Sequence, residues 1–332
     1  MTSEATARAR ALVAERTPAA RGLGTALADL IDEPEPFVAV LRDGFARLAD
    51  AQYAAEQERV APGTGAVFGV RWPLVDAVAG ALRPALAAGS AASALWLAQR
   101  LATDEEREVR LFSHVCLRRS LPDDPERSWQ LMRRLARAAG DWISVDSLAD
   151  LYARGILAEP MRWAEVEQLV YSSRRWERRL VGSTVATIPY RLPAQRRALL
   201  RSAPGLMLIN SLIGDAEPDV AKALSWALRS WHGVDPAAVE TTLREEAERA
   251  VAAGDGHRAW VVRDALTLPR LDPHLVKELR GRLIGVRRRA GAPATSVAGE
   301  VAASFTGLDP LSERSAAAQG ERMHGEPVRR SA

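Results

Sequence analysis

Apolar residues recur at three- and four-residue spacing through nearly the whole stretch from Thr6 to Ile284, and no run alternates with the two-residue period of a strand. That single feature restricts the chain to helices. Breaks carrying Pro, Gly or Asp interrupt the pattern at Asp32–Pro36, Pro62–Gly65, Leu121–Asp124, Gly140–Asp141, Glu159–Pro160, Leu192–Pro193, Gly214–Pro218, Asp235–Pro236 and Gly254–Gly256. Such residues cap helices or cannot continue them, so each break is read as a helix boundary. Ten or more segments of about 12 to 20 residues follow from these breaks, joined by short connections. Many short antiparallel helices with brief links predict an all-α superhelix, a solenoid of stacked helix pairs. The units are not alike enough in sequence for a strict repeat, so HEAT-like pairs describe them better. The solenoid is expected to occupy residues 1–284, with N-terminal helices over about residues 1–60. After Gly285 the chain becomes rich in Ala, Gly, Ser, Pro and Arg, and residues 285–332 are expected to be a largely disordered tail.

Composition removes several classes of function. A lone Cys116 permits neither a disulfide framework nor a cysteine-based zinc site and fits a reducing compartment. The five histidines, His114, His232, His257, His274 and His324, show no metal-ligand spacing. Gly22-Leu23-Gly24 lacks both a preceding strand and the third glycine of a dinucleotide loop. No metal and no cofactor is therefore expected. The first twenty residues lack an apolar signal core, and no apolar run reaches the roughly 18 residues that span a bilayer. The chain is expected to be a cytoplasmic monomer with no membrane partner.

The net charge of +3 says little about partners, but the distribution of charge says more. Lys222 and Lys277 are the only lysines; the remaining basic residues are arginines. Between Tyr171 and Arg201 stand Arg174, Arg175, Arg178, Arg179, Arg191, Arg196, Arg197 and Arg201 against the single acid Glu177. A local basic surface of this kind attracts a polyanion whatever its sequence. The alternative is a solvated helical face whose acidic neighbours come from elsewhere in the fold.

Three segments carry a specific pattern: Asp141-Trp142-Ile143-Ser144-Val145-Asp146, then Ser173-Arg174-Arg175-Trp176-Glu177-Arg178-Arg179, then Lys222-Ala223-Leu224-Ser225-Trp226-Ala227-Leu228-Arg229. In order and spacing they resemble the W-x-x-x-D, W-x-x-R and K-A-x-x-W-x-L-R motifs of the HEAT-like-repeat DNA alkylation repair glycosylases known as the AlkD family. Upstream, Phe68-Gly69-Val70-Arg71-Trp72-Pro73 is similar to that family's N-terminal Gly-Val/Ile-x-x-Pro signature. The resemblance covers about residues 53–268. Ser230 and Trp231 depart from the acidic residue and tyrosine that members often carry after Leu-Arg.

Trp142 and Asp146 stand one helical turn apart and share a face, as do Trp226 and Arg229 at three-residue spacing. A carboxylate flanked by aromatic rings suits a cationic species. Cleavage of the N-glycosidic bond of an alkylated purine develops positive charge on the deoxyribose, and a carboxylate about 4 Å away stabilises it by on the order of 4 kcal/mol. Indole faces can add about 1 kcal/mol each, and Arg179 can hold Asp146 ionised or grip a phosphate.

The resemblance implies Asp146 as the catalytic residue, with Trp142, Trp226 and Arg179 beside it. It implies DNA contacts from Arg174, Arg175, Arg178, Lys222 and Arg229, and from Tyr53, which aligns with a DNA-contacting tyrosine of the family. The implied activity is hydrolytic removal of cationic N3- and N7-alkylated purines from double-stranded DNA, without flipping the base. That departs from the general habit of glycosylases. The competing expectations are a non-catalytic HEAT-like protein that binds distorted or branched DNA, and a protein-binding scaffold. Trp72, Trp96, Trp129, Trp163, Trp176 and Trp260 are expected in the core.

Overall fold

The structure, a computed structural model, describes residues 3–304. Its elements begin with α1 (Ser3–Ala26), α2 (Pro34–Leu48), α3 (Ala51–Val60), α4 (Trp72–Ala88), α5 (Ala91–Leu101) and α6 (Arg107–Ser120). There follow α7 (Pro125–Ala138), α8 (Trp142–Ala158), α9 (Arg162–Glu167), α10 (Arg175–Thr187), α11 (Ala194–Arg197) and α12 (Ala203–Leu212). The last are α13 (Pro218–Trp231), α14 (Pro236–Ala253), α15 (Gly256–Ala265), α16 (Pro273–Arg282) and α17 (Val297–Ser304). Among the described residues there is no strand, only an isolated bridge between Ala66 and Glu106. The architecture is the all-α solenoid that the periodicity predicts.

The predicted breaks fall at helix ends, and some of them are side-chain caps. Asp124 and Asp235 each accept a hydrogen bond from a backbone N–H of the helix they precede, and a proline at the first helical position follows each; Asp272, at a boundary not among the predicted breaks, does the same before α16. The aspartate satisfies a donor that the helix itself cannot, while the proline has no N–H to leave orphaned. Gly254, at φ +63, closes α14 in the left-handed conformation that favours glycine.

Packing then arranges the helices in rows. Helices α6, α8, α10, α13 and α15 pack against one another in succession, and α5, α7, α12 and α14 pair with members of this central row. One continuous hydrophobic cluster runs through the molecule from Ala20 to Ala298. A close helix approach in the central row is set by Gly182 on α10, where an added Cβ would stand 2.8 Å from the Cβ of Ala223 and 3.0 Å from its backbone carbonyl carbon on α13. Only the missing side chain lets these two helices meet so closely.

The segment Phe68–Pro73 is structural. Gly69 has φ +82 and its backbone lies against Asp50, where an added Cβ would stand 2.5 Å from the carbonyl oxygen. The buried carboxylate of Glu108 accepts hydrogen bonds from the backbone N–H groups of Phe68, Gly69 and Val70 at 3.2, 2.8 and 3.3 Å. The loop thus wraps a carboxylate delivered by α6 and delivers Trp72 and Pro73 to the start of α4.

The first part of the stretch beyond Gly285, residues 286–304, lies across the body. Thr295 donates its N–H to the Gly214 carbonyl at 2.9 Å, Arg258 donates to the Thr295 carbonyl at 3.0 Å, and α17 packs against α12. This strap carries few large apolar residues, so hydrophobic patterning cannot reveal it. It is held by backbone hydrogen bonds and by close approach to Gly256, where an added Cβ would stand 2.2 Å from Arg287. The rest of the expected tail, residues 305–332, lies outside the described residues. Among the tryptophans expected in the core, Trp129 lies there, but Trp72 and Trp96 are 43% and 57% exposed. Trp72 opens α4 at the surface, and Trp96 points away from the buried face of α5 made by Ala94, Leu97, Ala98 and Leu101.

Candidate functional site

The central row brings the predicted segments together. Asp141 caps α8, accepting hydrogen bonds from the Ser144 N–H at 2.9 Å and from its hydroxyl at 2.7 Å. From that start, Trp142 and Asp146 share one side of the helix, and Asp150 and Arg154 continue at four-residue spacing as that row winds gradually around it. Asp146 remains partly exposed on it, and Trp142 is 36% exposed. Helix α10 lies alongside and is buried over most of its length, Arg179 included. On α13 the non-buried positions form one stripe, Asp219, Lys222, Trp226 and Arg229, opposite a face made by Val220, Ala223, Leu224 and Ala227.

Arg179 joins these three helices. Its Nε and Nη2 donate to the two carboxylate oxygens of Asp146 at 3.1 and 2.7 Å, and its Nη1 donates to the Asp219 carbonyl at 2.6 Å. The Ser183 hydroxyl donates to the same carboxylate at 2.6 Å. A planar guanidinium holds a carboxylate bidentately in one orientation, which a lysine could not do. The side chain of Arg179 is 7% exposed and that of Asp146 is 22% exposed, so the cation is the buried anchor and the anion faces outward.

One turn along α8, Asp150 is surrounded by arginines. Arg118, Arg154 and Arg191 approach it at 2.9, 3.1 and 2.6 Å. Burial acts to raise the Asp150 pKa, but the three guanidiniums outweigh it and hold the carboxyl below the usual carboxylate range.

The expected basic surface divides once the fold is formed. Arg178 is turned to the buried Asp215 at 2.6 Å, Arg191 to Asp150, and Arg229 to Asp264 at 2.5 Å across the groove to α15. Arg175 stands over the Trp176 ring at 4.8 Å, with Glu217 at 3.6 Å. Arg174 donates to the Arg137 carbonyl at 2.8 Å, and Lys222 is 61% exposed with Asp219 at 4.0 Å. Among the described residues, Arg196, Arg197 and Arg201 have no acidic partner. Tyr53 lies on α3 with Arg71 over its ring at 4.6 Å, away from this cluster in the chain, and burial raises its phenol pKa.

Reasoning from sequence missed Ser183, Asp219 and Asp150. Ser183 and Asp150 each stand four residues after a chosen residue, so helical spacing offered a signal for both. The role of Asp219 runs through its backbone carbonyl and had no signal. Among the described residues, no three histidine, cysteine or carboxylate side chains are grouped to hold a metal ion. Nor is any helix among them long and apolar enough to cross a membrane.

A family model described as DNA alkylation repair enzyme matches residues 41–268, which contain α3 to α15 and every residue of the cluster. No curated protein matches the chain.

Proposed function

This chain belongs to the DNA alkylation repair enzyme family, and on that premise we propose that it is a monofunctional DNA glycosylase acting on cationic N3- and N7-alkylated purines in duplex DNA. The observation that carries the reading is the outward-facing Asp146 carboxylate, fixed from behind by Arg179 and from the side by Ser183. As the N-glycosidic bond breaks, its electron pair leaves with the base, neutralising the cationic purine, and positive charge develops on the deoxyribose. Asp146 stabilises that charge and orients a water molecule for attack at the anomeric carbon; the water's surplus proton passes to solvent. Because the departing base is already cationic, no general acid is required at the leaving group.

The pair with Arg179 sets the magnitude. A carboxylate about 4 Å from the sugar contributes about 4 kcal/mol at an effective dielectric near 20. A guanidinium standing behind it, about 7 Å from the sugar, opposes this by about 2 kcal/mol. The net field is worth about 2 kcal/mol, or roughly thirtyfold in rate. Trp142 and Trp226, on the open stripes of α8 and α13, add ring faces to which a cation is drawn, about 1 kcal/mol each. Lys222, Arg174 and Arg175 meet the phosphates as monomeric enzyme and duplex associate. An open helix face, in place of an enclosed base pocket, suits a lesion left in the stack. The solenoid occupies the body of the chain, and the reaction needs neither metal nor cofactor.

One observation favours a second reading. The Asp146–Arg179 pair is electrically neutral, so the same face can bind distorted or branched DNA without catalysis. Release of 7-methylguanine and 3-methyladenine from methylated duplex separates the two. The glycosylase reading expects release by the wild type and its collapse in Asp146→Asn; a wild type that binds duplex but releases neither base supports the second.

A further inference from the structure

A cleft of about 580 Å³ opens between α7 and the chain entering α10, within the size range of ligand sites. It is separate from the Asp146 cluster. Tyr152 reaches it from α8, and six residues at 3.6 per turn place Tyr152 about a third of a turn around that helix from Asp146. Three arginines of α7 line the cleft, Arg133, Arg134 and Arg137, with Gln130 completing their exposed stripe at three- and four-residue spacing. The one carboxylate in the lining is Glu177, already engaged by the Ser172 hydroxyl and by Arg137 at 3.3 Å. Arg133 has its nearest acid, Glu165, at 3.8 Å, and that acid is held by Arg162 at 2.5 Å. Arg134 has no acidic partner among the described residues. Positive charge is therefore in excess.

Two further features say what kind of anion the cleft fits. Tyr152 is 1% exposed, and its hydroxyl finds no hydrogen-bond partner among the described residues, a state that costs stability unless something fills it. At the rim Tyr171 is 48% exposed, leaving an aromatic face open to solvent. Arginines along a groove, an open aromatic platform and an unused hydroxyl match a flexible chain of phosphates and bases. In such binding the cations track the backbone and the ring stacks a base of any identity.

We propose that this cleft is a second nucleic-acid site, which takes a single-stranded DNA segment with its phosphates on Arg133, Arg134 and Arg137 and a base stacked on Tyr171. It goes beyond the glycosylase reading and does not depend on it. The test is fluorescence anisotropy of a labelled oligothymidine of about eight nucleotides with the full chain at low salt. Arg134→Glu and Tyr171→Ala alter exposed side chains, and unchanged melting curves confirm that they fold. The expected result is binding by the wild type and at least a tenfold loss in each variant. Duplex should compete poorly, and excision from methylated duplex should be unaltered. Absence of wild-type binding, wild-type affinity in both variants, or displacement by inorganic polyphosphate as effective as by unlabelled oligothymidine would each overturn the proposal.

Discussion

Replacing Asp146 with asparagine keeps the side chain's shape but strips Arg179, 7% exposed, of its counter-ion. The consequence for catalysis is larger than the net field of the intact pair suggests. In the wild type, attraction of about 4 kcal/mol from the carboxylate and repulsion of about 2 kcal/mol from the guanidinium leave about 2 kcal/mol of stabilisation. In Asp146→Asn the attraction is gone while the repulsion remains, so the barrier rises by about 4 kcal/mol and excision slows on the order of a thousandfold. Removing both charges in Asp146→Asn/Arg179→Gln eliminates the repulsion as well. The double variant is therefore expected to excise about thirtyfold faster than the single variant, while staying about thirtyfold slower than the wild type. Single-turnover release of 7-methylguanine at saturating enzyme measures this directly, with duplex affinity and melting curves taken in parallel. A double variant no faster than Asp146→Asn would refute the electrostatic account of the pair. An Asp146→Asn variant as fast as the wild type would refute the role of the carboxylate altogether.

Gly182→Ala forces a Cβ to within 2.8 Å of Ala223, and is expected to cost about 1–3 kcal/mol in urea unfolding and to slow excision by shifting Asp219 from Arg179. Glu108→Ala leaves three backbone N–H groups of the loop at Gly69 without an acceptor, for a loss of about 3 kcal/mol that Glu108→Gln partly restores. His114 is buried, and that burial, with Arg118 nearby, lowers its pKa to about 4. The unfolded chain therefore takes up a proton that the folded chain refuses. Stability from this residue is complete above about pH 6.5 and falls by up to about 3 kcal/mol as the pH drops towards 4. Denaturation curves across that window should lose this component of their slope in His114→Gln, and an unchanged slope would contradict the assignment.

Local signals account for the helices and for the choice of candidates. The three- and four-residue apolar spacing, the Asp-Pro caps before α7, α14 and α16, and the shared face of Trp142 and Asp146 all act within one or two turns. Each is therefore written in consecutive residues. The pairing of charges is not. Arg179 meets Asp146 and the Asp219 carbonyl across 33 and 40 residues, and that meeting exists only because Gly182 lets α10 and α13 approach. The same packing pairs Arg178 and Arg229, two of the expected DNA contacts, with Asp215 and Asp264, and pairs Arg191 of the basic stretch with Asp150. It also binds residues 286–304 to the body through scattered contacts, the Thr295 backbone and hydroxyl and the Arg288 stack on Trp260 among them, that make no apolar periodicity. Periodicity is a property of a single helix and can be read along the chain. Which charges neutralise one another depends on distances of a few ångströms between helices, and only the stacked fold decides those.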